Sequence, residues 1–249
     1  MITFLSVHKS YHKVPAIRDL SLTVEAGETV VFIGPSGGGK TTALKMVKGL
    51  VQPSSGRITV QGKPVSEWDI KALRQSIGYV IQQVGLFPHW TVARNIAILP
   101  QLAGWSRAER DRRVDELLEL VDLEPASFRD RYPHELSGEQ AQRIGVARAL
   151  ALRPAILLMD EPFGALDPLI RAQLQAELLR ILAQVQTTTL LVTHDLPEAF
   201  RMGDRIAVLV NGRVEQIDTP ENLLRHPTSP FLKQLMEAEL IRPESGSGS

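Results

Sequence analysis

At 249 residues, with 43% hydrophobic and 22% charged residues, the chain can bury the core of one large α/β domain or of two small ones, and its composition is that of an ordinary soluble globular protein. Its 28 Lys and Arg balance 28 Asp and Glu, so it carries no bulk basic field for nucleic acid. Having no cysteine, it excludes disulfides, thiolate metal sites and a cysteine nucleophile.

The N-terminal stretch Met1 to Lys9 lacks a basic segment followed by a long apolar core, so no secretory signal is visible. Residues 2 to 8 and 17 to 24 carry near-alternating apolar positions and predict an antiparallel pair, with Val14-Pro15 between them. The apolar run Thr29 to Ile33 predicts a buried strand, and Ala43 to Val47 a helix. Between them lies Gly34-Pro35-Ser36-Gly37-Gly38-Gly39-Lys40-Thr41-Thr42. Gly34, Gly39, Lys40 and Thr41 fit G-x-x-x-x-G-K-[ST] in the strand-to-helix context that this motif requires. Glycines let the backbone fold around an anion with its N–H groups pointing inward, and the following helix start adds partial positive charge. A nucleotide's β-phosphate fits there, with Lys40 on the β- and γ-phosphates and the Thr41 hydroxyl on Mg²⁺. The bland alternative is a glycine-rich turn beside a surface lysine.

Arg57 to Gln61 and Ile77 to Ile81 predict further strands, with a short helical turn from Val65 to Arg74 between them. From about residue 85 to 153 the pattern becomes helical. Thr91 caps Val92 to Ile98, which Pro100 is expected to close; Ser106-Arg-Ala-Glu109 is a capping box opening an amphipathic helix to Val121; and Ser137 opens another that runs to about Leu152. The sheet resumes with Ala155 to Met159, a helix from Pro168 to Val185 and the strand Thr189 to Thr193. A short helix around Glu198 follows, then a hairpin turning at Asn211-Gly212, and a terminal helix starting at Thr219. Apolar runs such as Ala155 to Met159 fall far short of the roughly 20 residues that span a bilayer, so any crossing would fall to another chain. The expected organisation is one α/β domain over residues 1–240, residues 85–153 forming a lateral helical insert, and a flexible Ser/Gly tail over 241–249.

Two carboxylates, Asp160 and Glu161, end the strand before the 168–185 helix. Because successive strand side chains point to opposite faces, they are assigned different tasks: Asp160 in the Mg²⁺ shell, Glu161 on the attacking water as polariser or general base. The alternative is two solvated acids at a strand end. His194 tips the next strand, at the edge where such sheets face their ligand crevice, so that its imidazole can contact the γ-phosphate and hold Glu161. A structural histidine is the alternative.

Leu136-Ser-Gly-Glu-Gln140, followed by Ala141-Gln-Arg-Ile-Gly-Val-Ala-Arg-Ala149, resembles the signature segment of ATP-binding cassette (ABC) ATPases, and the ordered set of motifs covers roughly residues 2 to 240. The resemblance implies a P-loop NTPase (RecA-like) core with an antiparallel β subdomain and a lateral helical signature subdomain. It implies ATP and Mg²⁺ as ligands and a head-to-tail homodimer or pseudo-dimer with two ATPs between its halves. By position, Tyr11 stacks on adenine, Gln82 senses the γ-phosphate and Mg²⁺, and Asp167 belongs to a loop crossing the dimer interface. Ser137 and Gly138 close over the partner's γ-phosphate. Tyr11 as a plain strand-end aromatic, and Gln83 in place of Gln82, remain open alternatives.

Single cassettes of this kind are similar to importer subunits that work at the cytoplasmic face of the cell membrane, docked on separate integral-membrane permeases fed by an extracytoplasmic substrate-binding protein or domain. The stretch Ile77 to Val92, with its Gln82-Gln83 and Gly85-Leu-Phe-Pro-His89, resembles the osmoprotectant group, which imports glycine betaine, choline, carnitine or proline betaine. In that group this region receives the permease, which makes Leu86, Phe87, His89 and Trp90 docking candidates; packing between lobes is the alternative for each. A polar amino acid importer and a cassette acting on nucleic acid are the rival functions, the latter disfavoured by the charge balance. Two departures stand out. The chain ends before the C-terminal CBS regulatory pair of many members could fit. It also carries Glu139 where the family usually has glycine, so that a carboxylate would face polyphosphate across the dimer. At roughly 6 Å and an effective dielectric near 20, that repulsion is about 3 kcal/mol before Mg²⁺ offsets part of it, unless the side chain turns away.

Overall fold

The computed structural model describes residues 1–82, 84–164 and 167–240. The Gln83 alternative and the expected 241–249 tail lie outside the described residues. Strands β1 (Ile2–Tyr11), β2 (Val14–Val24), β4 (Ser55–Val60) and β5 (Lys63–Pro64) form one antiparallel sheet in the order β2-β1-β4-β5. Strands β3 (Thr29–Ile33), β6 (Ile77–Val80), β7 (Ile156–Asp160), β8 (Thr188–Val192), β9 (Arg205–Val210) and β10 (Arg213–Asp218) form the second, ordered β10-β9-β3-β8-β7-β6. It is parallel except for the β9–β10 hairpin.

Strands β3, β7 and β8 are buried at every position, which is why they read as continuous apolar runs rather than alternating ones. The pleat sends alternate residues to opposite sides. Val30, Phe32, Leu158 and Val192 join a core with the antiparallel sheet and helix α1 (Lys40–Val47). Val31, Ile33, Met159 and Leu191 join a second core with the helical insert. That insert comprises α3 (Val92–Leu102), α4 (Arg107–Leu120), α5 (Pro125–Phe128) and α6 (Gly138–Ala149). Helix α2 (Ile70–Ser76) leads into β6, α7 (Pro168–Val185) and α8 (Leu196–Met202) flank β8, and α9 (Pro220–Arg225) and α10 (Pro230–Leu240) close the chain.

Three expectations are corrected. The first hairpin turns at His12-Lys13, with φ of 46° and 69°, and not at Val14-Pro15, which lie in β2. Proline is tolerated there because β2 is an edge strand. Pro100 does not close α3: lacking an N–H it forfeits the bond to the Ile96 carbonyl one turn back, and the helix nonetheless continues to Leu102. Helix α6 ends at Ala149, three residues before the expected Leu152. The capping box of Ser106 with Glu109 and the Asn211-Gly212 turn, both residues at positive φ, form as the sequence predicts.

Candidate nucleotide site

The parallel strands β3, β6, β7 and β8 all end on the same edge of their sheet, and the candidate site residues follow directly from those ends. After β3 the chain turns through Gly34 to Gly39 into α1, whose N-cap is Gly39 at φ 97° with no side-chain cap. The first-turn N–H groups of α1 therefore have no side-chain acceptor at the cap, the arrangement that suits an anion. The glycines are required by packing as well as by conformation. A Cβ on Gly34 would lie 1.9 Å from the Leu209 carbonyl oxygen, and one on Gly39 would lie 2.4 Å from that of Ala16.

A cleft of about 380 Å³ opens over this turn, lined by Tyr11, Ala16, Ser36 to Thr42 and Glu161. Gly34 and Pro35 lie behind it, their carbonyls accepting from Lys40 Nζ at 2.7 and 2.9 Å. Burial pushes the Lys40 ammonium below its usual range, and the nearby charges of Glu161 and Asp160 oppose that shift. Tyr11 is an exposed wall of the cleft, with Lys9 Nζ 4.9 Å from its ring centroid.

Thr41 Oγ1 donates to Asp160 Oδ1 at 2.8 Å, joining α1 to the end of β7. Burial, reinforced by the charge of Glu161, raises the pKa of Asp160, while hydrogen bonds from Thr41 and Tyr79 and the charge of Lys45 oppose it. The Tyr79 phenol is pushed up to about 12, chiefly by burial and then by Asp160. A buried carboxylate that its protein surroundings compensate incompletely, beside a hydroxyl, offers the hard oxygen donors that Mg²⁺ takes together with phosphate oxygens. These residues therefore fit Mg²⁺, and the glycine turn fits the phosphates.

Glu161 lies beyond the strand, at φ 48°, its N–H donating to the Val192 carbonyl at 2.9 Å. Its separation from Asp160 thus comes from a left-handed backbone step and not from strand alternation, which corrects the physical reason given above while leaving the two side chains apart. Gln82 Nε2 donates to Glu161 Oε2 at 3.0 Å, and His194 Nδ1 lies 3.3 Å from the same oxygen. One carboxylate oxygen thereby gathers the ends of β6, β7 and β8.

Ser137 and Gly138 do not line the cleft. Ser137 caps α6 in a reciprocal box with Gln140, the two hydrogen bonds both 3.1 Å. Asp167 caps α7 through Ile170 N at 3.2 Å, also away from the cleft. Of the docking candidates, Leu86 packs against the core of the helical insert. Phe87, His89 and Trp90 form an aromatic cluster with Phe87 and Trp90 centroids 4.3 Å apart and Arg94 4.4 Å from the Trp90 ring.

Two residues beside these sites have no signal in the sequence. Tyr79 reaches Asp160 only because β6 pairs with β7, with Tyr79 opposite Leu158. Asn95, fully buried, receives Phe87 N–H on Oδ1 at 2.8 Å and donates from Nδ2 to the carbonyls of Phe87, Trp90 and Thr91, which fixes the aromatic loop from beneath.

Comparison with known proteins bears on the family and the fold. The ABC transporter family profile matches residues 17–164. The chain is 49% identical over 226 residues to the glycine betaine/carnitine/choline transport ATP-binding protein OpuCA of Bacillus subtilis, covering 91% of this chain and 59% of that one. It is 48% identical over 234 residues to the glycine betaine uptake system ATP-binding protein YehX of Escherichia coli, covering 94% and 76%. The chain thus spans about three-fifths of the length of OpuCA. Among solved structures, a dimeric post-hydrolysis state of the ATP-binding cassette MJ0796 bound to ADP and Pi superposes with a TM-score of 0.79 at 32% identity, covering 88% of this chain and 99% of that one. The α/β fold with its glycine turn, the paired acids at the end of β7 and these matches together establish that the chain belongs to the ABC transporter family, as an ATP-binding cassette.

Proposed function

We propose that this chain is the ATP-hydrolysing subunit of an importer for glycine betaine-like quaternary amines, working as a dimer beneath a separate permease at the cytoplasmic face of the membrane. The observation that carries the hydrolytic reading is the convergence of Gln82 and His194 on Glu161 Oε2 at the rim of the glycine-lined cleft. The osmoprotectant reading is supported by the relatives at 49% and 48% identity, whose names describe transport of such solutes. No helix among the described residues is long and apolar enough to cross a membrane, so passage of the solute is assigned to another chain.

In this reading the backbone N–H groups between Ser36 and Thr42, apart from that of Gly38, which donates to the Pro35 carbonyl at 3.1 Å, hold the β- and γ-phosphates, Lys40 leaves the loop carbonyls to meet them, and Tyr11 stacks on adenine. Thr41, Asp160 and Gln82 hold Mg²⁺, which when bound neutralises charge on the phosphate oxygens. Glu161 orients the water and accepts its proton as the oxygen attacks the γ-phosphorus; the bond from that phosphorus to the β,γ-bridging oxygen breaks, releasing ADP and phosphate. His194 holds Glu161 and contacts the γ-phosphate. Ser137 and Gly138 of a second copy close the cleft from above, and Asp167 spans the interface. Phe87, His89 and Trp90 form the surface that meets the permease.

The test is Glu161→Gln. This variant is expected to retain ATP and to accumulate as a dimer in sedimentation, with turnover reduced at least about 100-fold. Hydrolysis at the parent rate would remove Glu161 from the chemistry, and a nucleotide-loaded protein that stays monomeric would remove the sandwich. The solute class is tested by ATPase stimulation of the reconstituted complex with quaternary amines against polar amino acids.

A further inference from the structure

Glu139 is the one residue at the start of α6 whose charge opposes a phosphate, and its carboxylate is already taken. Arg143, one helical turn later, donates from Nε and Nη2 to Glu139 Oε1 at 3.1 and 2.9 Å. The same guanidinium donates from Nη2 to Glu177 on α7 and from Nη1 to the Val121 carbonyl at 2.9 Å, and it lies 4.0 Å from Asp122. The Arg143 side chain is 13% exposed and that of Glu139 29%. Helix geometry favours this pairing: the Cα–Cβ bond tilts toward the N-terminus, so residue 143 reaches back over residue 139, with the acid N-terminal to the base. The capping box at Ser137 uses Gln140, which leaves Glu139 to Arg143.

We propose that Arg143 is a positioning residue that holds the Glu139 carboxylate back along α6 and against α7, keeping the Ser137–Gly138 end of the helix open to the γ-phosphate held by a second copy. This rests on the dimer-sandwich reading above. The cluster contains three carboxylates, Glu139, Glu177 and Asp122, and two guanidiniums, Arg143 and Arg180, the latter 2.7 Å from Asp122. Removing Arg143 leaves Glu139 and Glu177 without their common cation. The nearest compensation for Glu139 is then the positive end of its own helix, which is the place the phosphate has to occupy. A plain clamp between α6 and α7 would need only the Glu177 and Val121 contacts, so the Glu139 contacts are what separate the two roles.

The experiment measures ATP-dependent dimerisation by sedimentation in the Glu161→Gln background, with thermal melts as a check on folding. Arg143→Ala is expected to weaken dimerisation about tenfold or more, the scale of one uncompensated, partly buried charge. Glu139→Gly added to Arg143→Ala is expected to restore it, and Glu139→Gly alone to leave it equal or tighter. Arg143→Lys, which keeps the charge but loses the fork, falls between. An equal defect with and without Glu139→Gly would make Arg143 a structural clamp only and overturn the proposal, as would an Arg143→Ala protein that dimerises normally. If Arg143→Ala unfolds, the same comparison is read from Arg143→Lys with and without Glu139→Gly. A background protein that binds ATP yet never dimerises would sink the sandwich reading itself, and the proposal with it, before any Arg143 variant is compared.

Discussion

Thr41 and Asp160, 119 positions apart in the chain, meet through a single 2.8 Å hydrogen bond that joins the first turn of α1 to the last residue of β7. The bond places a buried carboxylate beside the hydroxyl of Thr41, which itself lines the cleft. Asp160→Asn keeps an oxygen to accept from Thr41 and so is expected to fold. Its loss of charge should reduce Mg²⁺-dependent nucleotide affinity by roughly 10–100-fold while leaving affinity in EDTA nearly unchanged. Titration with a fluorescent ATP analogue, with and without Mg²⁺, reads the difference.

The glycine turn makes a second, graded prediction. Gly39→Ala places a Cβ 2.4 Å from the Ala16 oxygen at φ 97°, so both strain and collision act, and stability should fall by about 2–4 kcal/mol with loss of nucleotide binding. Gly37→Ala meets nothing within 4 Å, and its φ of 79° alone should cost about 1–2 kcal/mol. Urea unfolding of the two variants, compared at equal m, measures the gap.

Glu198 gives the pH dependence. It is buried, one carboxylate oxygen has no hydrogen-bond partner, and burial, with Asp195 next, raises its pKa from 4.5 to about 8. Thr193 and Arg171 oppose the shift, and Glu161 adds to it. The folded state therefore binds a proton that the unfolded chain releases first. Stability from this group is fully present below about pH 4.5 and is lost as pH rises through about 8. Melting temperature between these limits should fall with pH in the parent protein, and Glu198→Gln, neutral throughout, should flatten that slope.

Asn95 separates coupling from chemistry. Asn95→Ala removes four hydrogen bonds beneath Phe87, Trp90 and Thr91 and should destabilise the protein by about 2–3 kcal/mol. Because none of its partners lines the cleft, ATPase activity of the isolated subunit should persist. If the aromatic loop is the docking surface proposed above, stimulation by a permease in reconstituted vesicles should drop, and a parallel loss of both activities would disconnect this loop from docking.

Much of this was legible in the chain because the strongest signals are local. Thr29 to Ile33 feeding Gly34 to Thr41 carries its own strand, turn and helix start, and Asn211-Gly212 its own hairpin. What escaped either lacks the residue that usually marks it or is set by partners distant in sequence. The His12-Lys13 turn contains neither glycine nor asparagine, so its positive φ values are imposed by the pairing of Tyr11 with Val14. Pro100 reads as a stop because it removes a bond to the preceding turn, yet α3, with Val92, Ile96 and Pro100 itself buried, continues two residues past it. The partnership of Glu139 with Arg143 was within reach at i,i+4 spacing, whereas Glu177 joined it only once α7 packed beside α6.

The Asn211-Gly212 hairpin holds no reacting group, yet a Cβ on Gly212 would lie 2.6 Å from the Ala16 oxygen, the atom that also bounds Gly39, and Arg18 N donates to the Gly212 carbonyl at 2.7 Å. Two turns remote in sequence thus press on the same peptide of β2. The far hairpin backs the peptide that bounds the glycine turn, so that bulk added at Gly212 would have to displace Ala16, one of the residues that line the cleft.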